Sequence, residues 1–445
     1  EGVWVETSGG DHTLELGIGR LPVKSLQEAR IVVDKLIAYE SDSAARGPWR
    51  TRMHFVADDG DGSIHEGHAS ILAEQIAPVL LPQKVFLDAF AAQNSEAKVP
   101  RSVVNSAIQR SIREGTLVLN YTGHGGPRGW AEEQVWTLSD IAEAAGYRNL
   151  PLLFTATCEF GRYDDPAIIS GAELMVLSPR GAAIGAVTTT RPVFASTNFA
   201  LSRAFYDALL RASPSERLGD LFRKTKNNSL RGSLNRNFSL LGDPSMRLAL
   251  PEQTIRWLAT PDTLRALERV RLQGAVFRTD TAVVDGAFEG IAHISIFDAP
   301  TPLPSTVGAQ HRAYQTKLFE GTVSVKKGGF ECQFIVPKGV SRGFEIGRAR
   351  IYAAHVSEDY EAAGQLDLVV GGERTDTAVD TSPPALRVLL NDRAPNSKAS
   401  IGPNPILKIQ AEDLSGMMLS ATKSDWRAVL ILNDTLVYGL SDHYE

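Results

Sequence analysis

Two short turns constrain the fold of this 445-residue chain more than any other feature: Asn120-Tyr-Thr-Gly-His-Gly-Gly126 and Phe154-Thr-Ala-Thr-Cys-Glu-Phe160. Each follows an apolar run that reads as a buried strand, Leu117-Val-Leu119 and Leu152-Leu-Phe154. Between them, Thr137-Leu-Ser-Asp-Ile-Ala-Glu-Ala-Ala-Gly146 is helix-like and closes on a glycine. Strand, helix and strand at this spacing predict a right-handed crossover between two parallel strands. Both turns then leave the carboxyl edge of one sheet, where open α/β folds assemble their sites. That edge carries His124 and Cys158.

A cysteine and a histidine brought together this way suit nucleophilic catalysis. A thiol is only slightly ionised at neutral pH, and a neighbouring imidazole can take its proton and later return it to a leaving group. Gly123, Gly125 and Gly126 let the backbone turn sharply and approach a substrate closely. The amides of Gly125 and Cys158 are the expected pair for a developing oxyanion. The structural alternative is an inert core thiol and a satisfied loop histidine, since cysteine is among the most buried residue types. Glu159 adjoins the thiol, and a carboxylate there disfavours the thiolate.

Composition narrows the partners. A hydrophobic content of 43% and a charged content of 22% describe an ordinary globular protein, long enough for two or three domains. The net charge of −6, without a dense Lys/Arg run, argues against a nucleic-acid partner. Two cysteines, Cys158 and Cys332, do not make a disulfide framework. No apolar run approaches the ~20 residues that cross a bilayer. The chain begins inside folded-looking sequence without an initiator Met, which reads as a processed or trimmed fragment.

In chain order, Leu14-Glu-Leu-Gly-Ile18 reads as a strand, followed by a helix opened by a capping box of Ser25 and Glu28. Ala29, Val32, Val33, Leu36 and Ile37 are its expected buried face. Met53–Ala57 reads as a strand entering the acidic turn Asp58-Asp-Gly-Asp-Gly62. That turn fails the calcium-loop pattern, because Ile64 and Ser70 stand where Gly and Glu are needed, so a solvated turn is expected. His65 and His68 lack further ligands for zinc, and neither a metal nor an organic cofactor is expected. Helices are predicted near Ser70–Leu80, Arg101–Arg113, Ala172–Leu177, Asn198–Ala212 and Ser215–Asn227. Strands are predicted at Val85–Leu87 and at Ala182–Val187, the latter running into Thr188-Thr-Thr-Arg191. This Thr-rich turn, at the same carboxyl edge, is expected to wall a substrate pocket. Strand–helix alternation makes residues 1–250 α/β with a mostly parallel sheet. From 251 to 380, short alternating strands between Gly and Pro turns read as an immunoglobulin-like β-sandwich. Residues 381–445, after Thr381-Ser-Pro-Pro384, read as the start of a further β-unit.

Thr122-Gly-His-Gly-Gly126, Thr155-Ala-Thr-Cys158 and Leu240-Leu-Gly-Asp-Pro244 together resemble the gingipain-type cysteine peptidases. Gly129-Trp-Ala-Glu132, Thr155–Pro166, Thr188–Arg191, Phe55–Asp61, Ile335-Val-Pro337 and Leu389-Leu-Asn-Asp392 are most similar to the branch serving as sortase of the bacterial type IX secretion system. The resemblance implies a caspase-like α/β catalytic fold followed by immunoglobulin-like domains. It assigns Cys158 as nucleophile, His124 as general base and Glu15 as the acid orienting the histidine. Thr188, Thr189, Thr190, Arg191 and Trp130 would then form the substrate pocket. It further implies cargo proteins with a C-terminal sorting domain as substrates, lipopolysaccharide as acceptor, an outer-membrane partner protein and a bacterial cell-surface location. A general secreted protease and a non-catalytic surface scaffold stay open beside the sortase reading.

Overall fold

The computed structural model describes residues 13–94, 98–144, 148–229, 237–279, 281–341, 343–357, 360–373, 382–394, 406–413, 429–432 and 436–439. They divide into two compact units. The first runs to Thr254 and takes in Thr301–Ala313 and Tyr352–Ala363; the second holds the remainder.

The elements of the first unit are α1 (Leu26–Ser41), β1 (Arg52–Ala57), α2 (Ile64–Ile76), β2 (Leu81–Phe86), α3 (Leu87–Ala91), α4 (Arg101–Glu114) and β3 (Val118–Thr122). Next come the two-residue strands β4 (Gly125–Gly126), β5 (Gly129–Trp130) and β6 (Trp136–Thr137), then α5 (Leu138–Glu143) and β7 (Leu152–Ala156). The series closes with α6 (Gly171–Leu177), β8 (Gly185–Thr189), α7 (Ala195–Leu210), α8 (Leu218–Asn227) and β9 (Phe238–Leu241). The main sheet has the order β2-β1-β3-β7-β8-β9. Its first five strands are parallel, and β9 runs antiparallel to β8. Strands β4, β5 and β6 form a small antiparallel sheet after β3.

Every residue of β3, β7 and β8 is buried, which is why none of them alternates between apolar and polar residues along its length. Alternate side chains feed two cores. Phe55, Phe154 and Val187 meet Leu72, Leu201, Phe205 and Leu221 from α2, α7 and α8. Val56, Leu119 and Leu153 meet Val32, Ile108, Ile141 and Met175 from α1, α4, α5 and α6 on the opposite face. The result is a sheet between two helical layers. Each large side chain so buried contributes about 1.5–3 kcal/mol.

Local signals worked where capping chemistry was explicit. Ser25 accepts from the Glu28 amide at the start of α1. α5 opens on a Thr137/Asp140 capping box, while Gly146, the expected helix stop, lies outside the described residues. α4 stops at Gly115, whose φ of 87° suits only glycine.

Two expectations are corrected. Leu14–Ile18 forms no strand, and the bridge nearby is that of Arg20 with Leu241. On α1, Val32 is buried but Val33 and Ile37 are 46% and 59% exposed, so the buried stripe is narrower than periodicity suggested.

Outside the main sheet, strands Lys317–Val325, Gly290–Phe297, Glu345–His355, Glu361–Glu373, Gln253–Ala259, Arg269–Phe277 and Gly329–Ile335 follow one another in a single hydrogen-bonded path. Thr263–Ala266 pairs in parallel with Glu361–Glu373. Sequence reading missed Gln253–Ala259, Thr263–Ala266 and Glu361–Glu373. Ala385–Leu390 and Leu407–Glu412 form a separate antiparallel pair. The boundary expected at Thr381 lies outside the described residues.

Candidate active site

The register of three adjacent strands assembles the site. Ala57 of β1 pairs with Thr122 of β3, and Thr122 pairs with Ala156 of β7. The chain therefore leaves the sheet at one level in three places, through Asp58, Gly123 and Thr157. The Asp58 amide still donates to the Thr122 carbonyl at 3.1 Å, and the Gly123 amide to the Ala156 carbonyl at 3.4 Å. His124 and Cys158 each stand two residues beyond the paired Thr122 and Ala156.

The backbone of His124 is clamped from both sides. Its amide donates to Asp58 Oδ2 at 2.8 Å. Its carbonyl accepts from Tyr121 Oη at 2.6 Å and from the Ala131 amide at 2.9 Å. The ring is half exposed, and its Nε2 lies 2.9 Å from Asp61 Oδ2. A carboxylate there fixes the tautomer and stabilises the imidazolium. Glycines permit this crowding. A Cβ on Gly123 would sit 2.3 Å from Asp58 Cβ, and one on Gly60 would sit 3.2 Å from the His124 ring.

The Cys158 turn is braced from β8. Thr155 Oγ1 donates to Thr188 Oγ1 at 2.8 Å, Thr189 Oγ1 donates to the Thr157 carbonyl, and the Gly161 amide donates to the Thr189 carbonyl at 2.8 Å. Cys158 is partly exposed, its thiol 3.6 Å from the Val193 carbonyl. The next residue, Glu159, has a φ of 56°, in the left-handed region that non-glycine residues rarely occupy. Its carboxylate accepts from Arg162 Nη1 at 3.2 Å, which offsets the like-charge pressure it would put on a thiolate. The two turns also meet. A Cβ on Gly125 would fall 2.8 Å from Thr157 Oγ1 and 2.8 Å from the Gly129 carbonyl.

Several expected site residues lie elsewhere. Glu15 is exposed, on the segment whose Leu14 exchanges hydrogen bonds with Asn227 and whose Arg20 bridges β9. Strand β9 is three places along the sheet from β3, so the acid beside His124 is Asp61, not Glu15. Trp130 is fully buried and stacks on Tyr121 with ring centroids 4.3 Å apart; it belongs to the core, not to a pocket wall. Thr188, Thr189 and Thr190 are buried too, their hydroxyls spent on the bonds above and, for Thr190, on the Asn237 carbonyl. They support the Cys158 turn instead of lining a pocket. Arg191 is half-exposed and donates from Nη1 to Asp164 Oδ1 at 3.0 Å.

The acidic turn after β1 is more than a solvated loop. Asp58 is 3% exposed. Asp58, Asp59 and Glu133 bring carboxylate oxygens within 4.8 Å of one another. Burial first, then the charge of Glu133, pushes the Asp59 carboxyl up to about 6. Behind it, burial pushes Glu66 up to about 8, while its Oε1 accepts from the Asp88 amide at 3.1 Å. His65 is nearly buried, which holds its imidazole below its usual range, and it shares a cluster with Asp58 and His124. His68 instead stacks on Phe199 at 4.1 Å between centroids.

Comparison with known proteins supplies the family. Gingipain R2 of Porphyromonas gingivalis is 24% identical over 162 residues, 36% of this chain and 21% of that protein. Gingipain R1 of the same organism is 24% identical over 162 residues, 36% of this chain and 16% of its own length. The chain thus spans about a fifth or less of the curated relatives it matches. Among solved structures, the Arg-specific cysteine proteinase gingipain R (RGPB) matches with a TM-score of 0.47 at 16% identity, covering 82% of this chain and 77% of that one. Dimeric latent PorU from Porphyromonas gingivalis matches with a TM-score of 0.36 at 24% identity, covering 97% of this chain and 37% of that one. The model of peptidase family C25 matches residues 3–249, more than half of the 445. The chain belongs to peptidase family C25, a family of cysteine peptidases.

Proposed function

We propose that the chain is a cysteine endopeptidase in which Cys158 attacks the scissile carbonyl and His124 serves as base and then as acid. The observation that carries this reading is the strand register: Thr122 and Ala156 are paired, and His124 and Cys158 follow each by two residues at one sheet edge. In this reading His124 Nε2 faces Asp61, and its Nδ1 is the nitrogen that takes the Cys158 proton. Attack forms the thioester and expels the amine, protonated by His124; water or a second amine then resolves the acyl-enzyme. The amides of Gly125 and Cys158 hold the oxyanion, and the close approach of Gly125 to Thr157 supports that pairing.

The finer reading is a sortase of the type IX secretion system. It removes C-terminal sorting domains from cargo and passes the cargo carboxyl to surface lipopolysaccharide. Its support is the motif resemblance at Gly129–Glu132, Thr155–Pro166 and Thr188–Arg191. No described helix is long and apolar enough to cross a membrane. The proposed outer-membrane attachment is through a partner protein. The immunoglobulin-like reading of the second unit belongs to this proposal. Alternating burial supports it, as along Gly290–Phe297.

The test is incubation with a cargo protein bearing its sorting domain, with and without an added amine, followed by sequencing of the products. Release of the sorting domain and transfer of the cargo to the amine is the expected result. Brisk digestion of casein with no transfer product would assign a general secreted protease instead.

A further inference from the structure

His65 is left unexplained by peptidase chemistry. It lies on α2 and is 5% exposed, yet its Nδ1 has no hydrogen-bond partner. Asp61 Oδ2 stands off its Nε2 at 3.5 Å. A buried polar nitrogen left this way is costly, so an imidazole with a bare Nδ1 beside other ligating groups asks for an occupant. The His65 and His124 rings meet edge to face with centroids 5.1 Å apart. One donor atom from each of Asp58, His65 and His124 lies within 4.8 Å of the other two. The Asp61 carboxylate, 2.9 Å from His124 Nε2, adds a second acid beside the pair.

We propose that Asp58, His65 and His124 form a divalent transition-metal site, suited to Zn²⁺, and that filling it switches the peptidase off. Two imidazoles and a carboxylate are a donor set that zinc takes readily, with a fourth position left for water or Asp61. Calcium and magnesium prefer all-oxygen shells. Zinc–ligand bonds of ~2.0–2.2 Å in a tetrahedron set the donors about 3.3 Å apart, so groups now within 4.8 Å of one another need close by no more than about 1.5 Å on binding. His124 can make that movement by turning its ring, which is half exposed, while its backbone stays clamped. The metal then holds His124 against Asp58 and His65, and its positive charge opposes formation of the imidazolium that proton transfer from Cys158 requires. The switch rests on the reading of His124 as the base; the metal site itself does not.

The experiment separates the two. Calorimetric titration of the full chain with ZnCl₂ alone, in the Cys158→Ala background to remove the thiol, should show one equivalent bound. His65→Gln and His124→Ala should each weaken that binding by more than the ~10–100-fold lost when only an outer hydrogen-bond partner of a ligand is removed. His124→Ala keeps the test decisive should His65→Gln fail to fold, since the His124 side chain is half exposed. Peptide turnover by the unsubstituted chain should fall over the same zinc range and return on adding a chelator. Binding unchanged in both variants, or no binding, overturns the site. Binding with turnover intact overturns the switch. Binding that needs His65 and His124 in a chain that cleaves no peptide even without metal upholds the site and sinks the peptidase reading.

Discussion

Asp61→Asn is the most informative single change at the proposed site. The substitution keeps the size of the side chain and a carbonyl oxygen near His124 Nε2 but removes the charge that stabilises an imidazolium 2.9 Å away. Two unit charges about 4 Å apart between centres interact by ~1 kcal/mol in water and ~4 kcal/mol at an effective dielectric near 20. The two side chains are 48% and 57% exposed, which places the pair toward the watery end, at roughly 1–3 kcal/mol. Each 1.36 kcal/mol is tenfold in rate, so kcat/KM should fall by about 5- to 150-fold. A fully buried triad acid would cost nearer ~10⁴. The assay is steady-state cleavage of a quenched fluorogenic peptide, with Glu15→Gln as control. Glu15 is exposed at the β9 end of the sheet and should leave the rate within about twofold. A wild-type rate in Asp61→Asn, or a large loss in Glu15→Gln, would refute the reassignment of the acid.

Two further outcomes follow from the same geometry. Gly125→Ala places a methyl 2.8 Å from Thr157 Oγ1 and the Gly129 carbonyl. It should cost about 1–3 kcal/mol in urea unfolding and lower kcat more than it raises KM, since it pushes apart the turns bearing His124 and Cys158. Glu66 binds a proton in the folded chain at pH values where the unfolded chain has released it, between its ordinary 4.5 and about 8. Stability contributed by that carboxyl is present below the lower value and lost as pH rises through the window. Glu66→Gln, which can still accept from the Asp88 amide, should therefore leave stability near pH 4 little changed and raise it by on the order of 3–5 kcal/mol above pH 8. Equal stabilisation at both pH values, measured by thermal melts, would show that burial of the charge is not the cause.

The alternation of strands and helices in the first unit, and the common sheet edge from which the His124 and Cys158 turns leave, were legible because strand–turn–helix signals are local. The acid was not. Asp61 sits on a turn where Asp61, Gly62 and Ser63 all take positive φ, and its partner is 63 residues away in sequence. The pairing of β1 with β3 was the clue available: it brings whatever follows Ala57 to the edge that carries His124. Glu15 misled because its segment makes no strand beyond the Arg20 bridge. The Thr188–Thr190 turn was misread for a different reason. A carboxyl-edge position says where the backbone ends, not whether a side chain turns to solvent. In the second unit, Glu361–Glu373 escaped notice because its Gly- and Ala-containing sequence carries little alternation.

The central claim, that Cys158 is the nucleophile, is tested most directly by trapping the acyl-enzyme. A peptide ester is mixed with the chain, the reaction is acid-quenched within one turnover, and the thioester is located by peptide mapping. Cys332 is the internal control: it is 1% exposed, and burial pushes its thiol up to about 11. The expected result is one acyl group, on Cys158, absent in Cys158→Ala, which should also be folded and inactive. Turnover surviving in Cys158→Ala, or an acyl group found on Cys332 instead, would contradict it.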